Sequence, residues 1–396
     1  MCRYRYSGGR DDAISKYATG FQGKKGFVMP DFRYGHAAAR EWREAAQSCL
    51  AQLGQGPANL GFLYVTDVLA DHMNDILALF KQATGVQHWV GSIGIGICAM
   101  AQEYLDEPAI AVMIGDFEPG SFKVFSGIVD DGDVDVAQIR CGDAPANFAI
   151  VHVDPYNELA GGLISRLAER VESGFVVGGL TSSRRQNLQI ADGVTEGGLS
   201  GVFFSDGVTV ATRLTQGCSP VGPRHAITAC QRNVLITLDG RPALDVLRED
   251  AGEALANDLN RVSGHIFAGL PIPGSDTGDY LVRNLVGIDP ANKLVAIGDL
   301  IEQENGVMFC RRDGETAHDD MVRMLESISK GLYSQPRGGV YYSCLGRGAS
   351  LFGPDSGELK MIREALGEFP LVGFFCNGEI SHNRLYGYTG VLTLFV

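Results

Sequence analysis

Polar and ionisable side chains in this 396-residue chain gather just past the ends of apolar segments, the positions from which an α/β sheet presents chemistry to a ligand. Ser343, Cys344 and Arg347 follow Val340-Tyr-Tyr, while Asn377, Gly378, Glu379 and His382 follow Leu371-Val-Gly-Phe-Phe-Cys. Thr181, Ser182, Ser183 and Arg184 follow Phe175-Val-Val-Gly-Gly-Leu. An arginine grips a carboxylate through two parallel N–H donors and a glutamate accepts from an ammonium group. Arg347 with Glu379 therefore has the makings of an α-amino-acid clamp. The same two residues could equally form an internal salt bridge. Arg347, Asn377, Gly378, Glu379, Ser343, Cys344, Thr181 and Ser182 make up the candidate ligand-binding set.

Other chemistries find less support. Cys344 or Cys376 with His382 as base would make a thiolate nucleophile, but cysteines ending apolar strands are more commonly structural. Gly94-Ile-Gly-Ile-Cys-Ala99 matches a dinucleotide fingerprint, with Asp116 about where a ribose-binding acid would stand. The equivalent segments elsewhere read Gly178-Gly-Leu-Thr-Ser and Gly373-Phe-Phe-Cys-Asn-Gly, so these glycines are assigned to a turn shared by all copies. Asp131, Asp133 and Asp135 imitate the start of a calcium loop but lack its later glycine and glutamate, leaving a solvated acidic turn. There is no phosphate-binding GxxxxGK[ST] loop, no GxSxG elbow and no HExxH pair.

The elements that position the candidates form a repeat. Three times an apolar strand leads into an amphipathic helix, a segment breaking at Val-Gly, and a final apolar strand. The first copy runs from Phe62 through a helix near Asp71 to Phe80, then His88-Trp-Val-Gly and Ala109–Gly115. The second runs from Phe148 through a helix over Leu159 to Val171, then Phe175-Val-Val-Gly and Leu199–Phe204. The third runs from Val340 through a helix over Leu359 to Leu366, then Leu371-Val-Gly and Gly390–Val396. Such repetition indicates βαββ units and a duplicated ancestor. The expected class is α/β or α+β, with mixed sheets flanked by helices in two pseudo-related domains. The domains are expected at 33–235 and 236–396, behind an N-terminal arm over 1–32 that frays to about Pro30.

Between the second and third copies, Asn233–Leu238 reads as a strand stopped by an Asp239-Gly240 hairpin turn. Pro242 then opens a helix whose apolar face carries Leu244, Leu247, Ala251, Leu255 and Leu259. Strands are expected over Tyr280–Gly287, Lys293–Ile297 and Gly306–Cys310, with a helix over Asp319–Ser329. Near the start, Ala38, Trp42, Ala45, Cys49 and Leu53 predict a helix over His36–Leu53.

The 52 glycines are about twice ordinary usage and fall at strand ends and turns. A net charge of −14 offers no basic face for nucleic acid. Nine cysteines, odd in number and without CxxC spacing, suit a reducing compartment. With no apolar run of ~18 residues to span a membrane, a cytoplasmic protein is expected.

Gly178-Gly-Leu-Thr-Ser, Ser219-Pro-Val-Gly-Pro, Leu238-Asp-Gly-Arg-Pro-Ala-Leu-Asp-Val-Leu, Tyr342-Ser-Cys-Leu-Gly-Arg-Gly and Gly373-Phe-Phe-Cys-Asn-Gly-Glu-Ile together resemble the FIST proteins. The resemblance runs from about residue 33 to 396 as a FIST N part followed by a FIST C part. It implies a sensory module of signal transduction that binds a small ligand such as an amino acid. No output domain is visible, so the module would act through a separate signalling partner such as a histidine kinase. Haem is the alternative ligand the family suggests, in a nitric oxide sensor, with His152, His225, His265 and His382 as axial candidates. A cysteine-dependent enzyme is a further alternative; otherwise no catalytic role, cofactor or metal is expected.

Overall fold

The computed structural model describes residues 32–134, 138–252, 264–272, 280–303 and 305–396. The expected α+β class is what it shows: mixed sheets with helices packed on their outer faces. In the first unit Leu60–Thr66 pairs parallel to His88–Gly94 and antiparallel to Ala109–Gly115. In the second, Phe148–Val153 stands in the same relation to Phe175–Leu180 and Leu199–Phe204. In the third, Gly338–Cys344 does so to Leu371–Cys376 and Thr389–Phe395.

The repeated Val-Gly has a steric cause. Gly91, Gly178 and Gly373 pair with Leu63, Val151 and Tyr341, and a Cβ on each glycine would overlap the carbonyl oxygen of that partner. Only glycine lets the neighbouring backbone approach so closely.

After its Val-Gly strand, each unit sends a hairpin to a different unit. Gly96–Ala99 of the first pairs antiparallel with Leu371–Cys376 of the third. Gln189–Ala191 of the second pairs with His88–Gly94 of the first, and Glu379–Ser381 of the third with Phe175–Leu180 of the second. The exchange is cyclic. It completes three six-stranded sheets, each built from more than one unit.

Strand residues alternate between two layers, as pleating requires. Phe62, Tyr64, Ile150, Val340 and Tyr342 join one core common to the three units. Leu63, Val65, Ile110 and Val112 face outward, beneath the helices Trp42–Leu53 and Met73–Thr84. Tyr341, Leu392 and Leu394 lie beneath Gly314–Lys330 and Gly357–Leu366. Between the second and third units a separate antiparallel sheet closes on itself, because Gly306–Arg312 pairs with both His225–Gln231 and Ile266–Pro271. Helix Ala243–Ala251 packs against its core.

Some local expectations change. His36 to Ala38 belongs to the strand Phe32–Ala38, and the helix begins at Trp42; the apolar spacing continues across the break and concealed it. Asp67–His72 is a 3-10 turn before the helix Met73–Thr84. Gly96-Ile-Cys-Ala99 is a strand rather than a helix start, so the dinucleotide fingerprint has no helix N-terminus to receive a phosphate. Asp239 and Gly240 both take left-handed φ, 50° and 75°, and Leu238 pairs with Arg241 across them, which is the two-residue hairpin expected there. Leu255, Leu259, Asp135 and the N-terminal arm to residue 31 lie outside the described residues.

Candidate functional site

Arg347 is one of the largest fully buried side chains among the described residues. It follows Gly338–Cys344, whose outward-facing Tyr341 and Ser343 meet the first turn of helix Gly357–Leu366. Glu358 on that turn is wholly buried and collects the local donors. Arg347 Nε donates to its Oε1 at 2.7 Å and Tyr341 Oη to the same oxygen at 2.6 Å. Ser343 Oγ and the Gly348 N–H donate to Oε2 at 3.0 and 3.1 Å. Burial opposes the Arg347 charge, but Glu358, then Tyr341 and Glu379, more than offset it, and its pKa is held above the ordinary value.

Arg347 Nη1 and Nη2 have no hydrogen-bond partner although buried. Nearby, fully buried Glu379 accepts at Oε2 from the Thr389 N–H and hydroxyl at 3.1 and 2.7 Å, while its Oε1 has no partner. The salt bridge of Arg347 is thus with Glu358; with Glu379 the coupling is electrostatic. Burial pushes the Glu379 carboxyl up to about 8 even though the Thr389 bonds and Arg347 act to lower it.

Repetition shows what is peculiar to Glu379. Gln189 occupies the same place on the second unit's hairpin: it pairs with Ser92, one past Gly91, as Glu379 pairs with Gly179, one past Gly178. Gln189 is satisfied at both ends, donating to Gly198 O at 3.0 Å and accepting from Ser200 Oγ at 2.5 Å. In the third unit the register puts Val391 where the second has Ser200, so the second carboxylate oxygen loses that donor. In the first unit the matching residue is Ile97. Only the third copy carries an ionisable, half-bonded group here. Glu103, from the hairpin donated by the first unit, borders the same cluster; burial, then Glu358, pushes it up to about 7, and its Oε1 also lacks a partner.

The remaining candidates are divided. Ser343 and Cys344 lie beside Arg347, and Cys344 Sγ accepts from the Gly346 N–H at 3.4 Å. Asn377 is exposed, and with Gly378 it serves through backbone: Asn377 N donates to Leu180 O at 3.0 Å and Leu180 N to Gly378 O at 2.8 Å. Thr181 Oγ1 bonds Ser92 Oγ at 2.9 Å, and Ser182 Oγ donates to Phe375 O, so both tie units together. Burial pushes Cys344 up to about 12 and Cys376 well above the ordinary value, with Glu379 adding to both. A nucleophile needs the opposite shift.

A second polar cluster escaped sequence reading. Tyr64, His152 and Tyr342 are position-matched across the three units and meet in the common core. Tyr64 Oη lies 2.9 Å from Tyr342 Oη and 3.2 Å from His152 Nε2, all fully buried. Burial drives His152 down to about 3. The usable signal was the offset from Val-Gly pairing, one residue past Leu63, Val151 and Tyr341.

The four histidines named as axial candidates lie in different surroundings. His152 packs against Tyr64, Phe374 and Tyr342 within 6.1 Å. Both His225 nitrogens are held by Asp239 and Asp250, at 2.7 and 2.9 Å. His382 lies 3.8 Å from the Phe175 ring, and His265 is exposed. Among the described residues no group of three or more His, Cys, Asp or Glu is arranged for a metal ion, and no helix is long and apolar enough to cross a membrane. Surface clefts of about 400 and 370 Å³ open at the other ends of the strands, by Asn59, Asp116 and His88, away from Arg347.

Internally repeated units with exchanged hairpins, an inserted closed sheet and a buried Arg–Glu cluster define an α+β protein with an enclosed polar site. Comparison gives its kinship. The FIST N domain profile matches residues 59–241 and the FIST C domain profile residues 243–382. An uncharacterized protein of Mycobacterium tuberculosis is 30% identical over 383 residues, covering 93% of this chain and 98% of the relative. Another, of Mycobacterium bovis, is 28% identical over 374 residues, covering 89% and 94%. The chain belongs to the FIST family, whose domains are sensory and signal-transduction domains.

Proposed function

We propose that this chain senses an α-amino acid held between Arg347 and Glu379, and passes its state to a separate cytoplasmic signalling protein such as a histidine kinase. The observation that carries the reading is the set of unpartnered buried atoms: two guanidinium nitrogens and one carboxylate oxygen in one polar cluster. Leaving such atoms unbonded costs ~1–3 kcal/mol each, more when charged, so this site is built to be completed. A carboxylate across Nη1 and Nη2 and an ammonium on Oε1 would satisfy all three. Gln189, in the matching place with both ends bonded, shows that the fold itself does not require the open oxygen.

The test is a thermal-shift panel of the twenty standard amino acids. A cognate guest at a hundredfold excess over its dissociation constant stabilises by about 2.7 kcal/mol, and Glu379→Gln, which keeps the shape but cannot ionise opposite an ammonium group, removes the shift. A flat panel sinks the amino-acid reading.

A further inference from the structure

Arg347 and Glu379 are sealed from solvent, so a guest requires a moving part. We infer that the segment Leu385–Thr389 is a strap over the site and that the inserted closed sheet latches it, an inference that rests on the ligand reading above.

Thr389, at one end of the strap, is the partner of Glu379. Next to it Tyr388 has φ 62°, left-handed backbone that is strained for a bulky residue and persists only where surroundings impose it. Two glycines admit it. A Cβ on Gly346 would stand 3.1 Å from the Tyr388 ring, and one on Gly217 would stand 2.5 Å from the Tyr388 carbonyl oxygen and 3.2 Å from Arg347 Nη1. The strap and the unbonded edge of the guanidinium therefore border the same space. Cys344, itself only part-buried, lies beside the strap, with Tyr388 acting on its thiol.

The latch comes from the strand Tyr280–Asp289 and its neighbour. Tyr388 Oη donates to Asn284 Oδ1 at 2.8 Å, and Arg283 Nη2 donates to Leu385 O at 3.0 Å. The Tyr388 ring packs on Phe267 at 4.5 Å. Whatever shifts the closed sheet pulls on the strap, and a guest that engages Glu379 acts on Thr389 and so on the sheet. Occupancy and sheet position are linked reciprocally.

Cys344 is part-buried, so its alkylation by iodoacetamide, followed by mass spectrometry, reads strap opening in the intact protein as the rise above the closed form's own rate. Asn284 is exposed, so Asn284→Ala removes the latch bond with little other disturbance; Tyr388→Phe removes the same bond from the other side. A hydrogen bond of ordinary net worth corresponds to roughly three- to tenfold in opening. Each variant is expected to accelerate Cys344 labelling by that factor, the double variant no further, with buried Cys49 as the reporter of global unfolding. An unchanged Cys344 rate, or equal acceleration at Cys49, overturns the strap. In wild type, a mixture of the nineteen standard amino acids other than cysteine, whose free thiol would consume the reagent, should slow Cys344 labelling. If the latch variants accelerate labelling but the mixture does nothing, the strap stands and the amino-acid reading fails.

Discussion

Arg347 and Glu358 meet at 2.7 Å with side-chain exposures of 0% and 1%, and that pairing fixes the guanidinium so that only its Nη edge is unbonded. Removing either partner strands a charge in the core. Arg347→Met is expected to cost about 3–5 kcal/mol in urea unfolding, whereas Arg347→Met with Glu358→Gln recovers much of the loss. A single variant as stable as wild type would mean that water reaches the pair.

Glu379 ties stability to pH. Its folded value of about 8 lies above the ordinary 4.5, so its contribution is full below pH 4.5, declines as pH rises towards 8, and is constant beyond. Glu103, raised to about 7, acts in the same direction. Unfolding free energies between pH 5 and 9 should therefore fall less steeply for Glu379→Gln than for wild type. Parallel curves would show that the carboxyl is already ionised when folded.

His152 works from the acid side. With a folded value near 3 against an ordinary 6.5, its contribution is full above pH 6.5 and is lost as pH falls towards 3. His152→Phe should flatten that limb of the stability curve. An unaltered acid limb would assign acid sensitivity to other groups.

Gly91→Ala, Gly178→Ala and Gly373→Ala should each fail to fold or lose more than the ~1–3 kcal/mol of ordinary overpacking, because the added methyl overlaps backbone that cannot move aside. Gly193→Ala, with nothing within 4 Å of its Cβ position, is the tolerated control. Circular dichroism melts separate the two groups.

The repeat was legible because apolar runs and Val-Gly breaks are local signals, and the strand pairs within each unit followed from them. Where the hairpins go was not legible: Gln189 and Ser92 lie far apart along the chain, and nothing local tells a short strand which edge it will meet. Arg347 and Glu379 stand out as polar residues at strand ends, whereas Glu358, just before the helix expected over Leu359 to Leu366, is not singled out by the sequence. Its place on the stripe shared with Met361 and Ile362 was the available sign that an acid points inward. The break between His36 and Trp42 was concealed because Ala38 falls on the helical spacing of Trp42, Ala45, Cys49 and Leu53 although it ends a strand and is exposed.

The cyclic hairpin exchange also constrains how the chain can be divided. Each unit's Val-Gly strand would present a bare, hydrogen-bonding edge if the unit donating its neighbour were cut away. A fragment ending before Gly338 lacks the hairpin that borders Phe175–Leu180 and leaves Gly96–Ala99 without its acceptor strand. Truncation at the boundary between the two matched domains is therefore expected to yield sticky, self-associating pieces instead of two separable proteins.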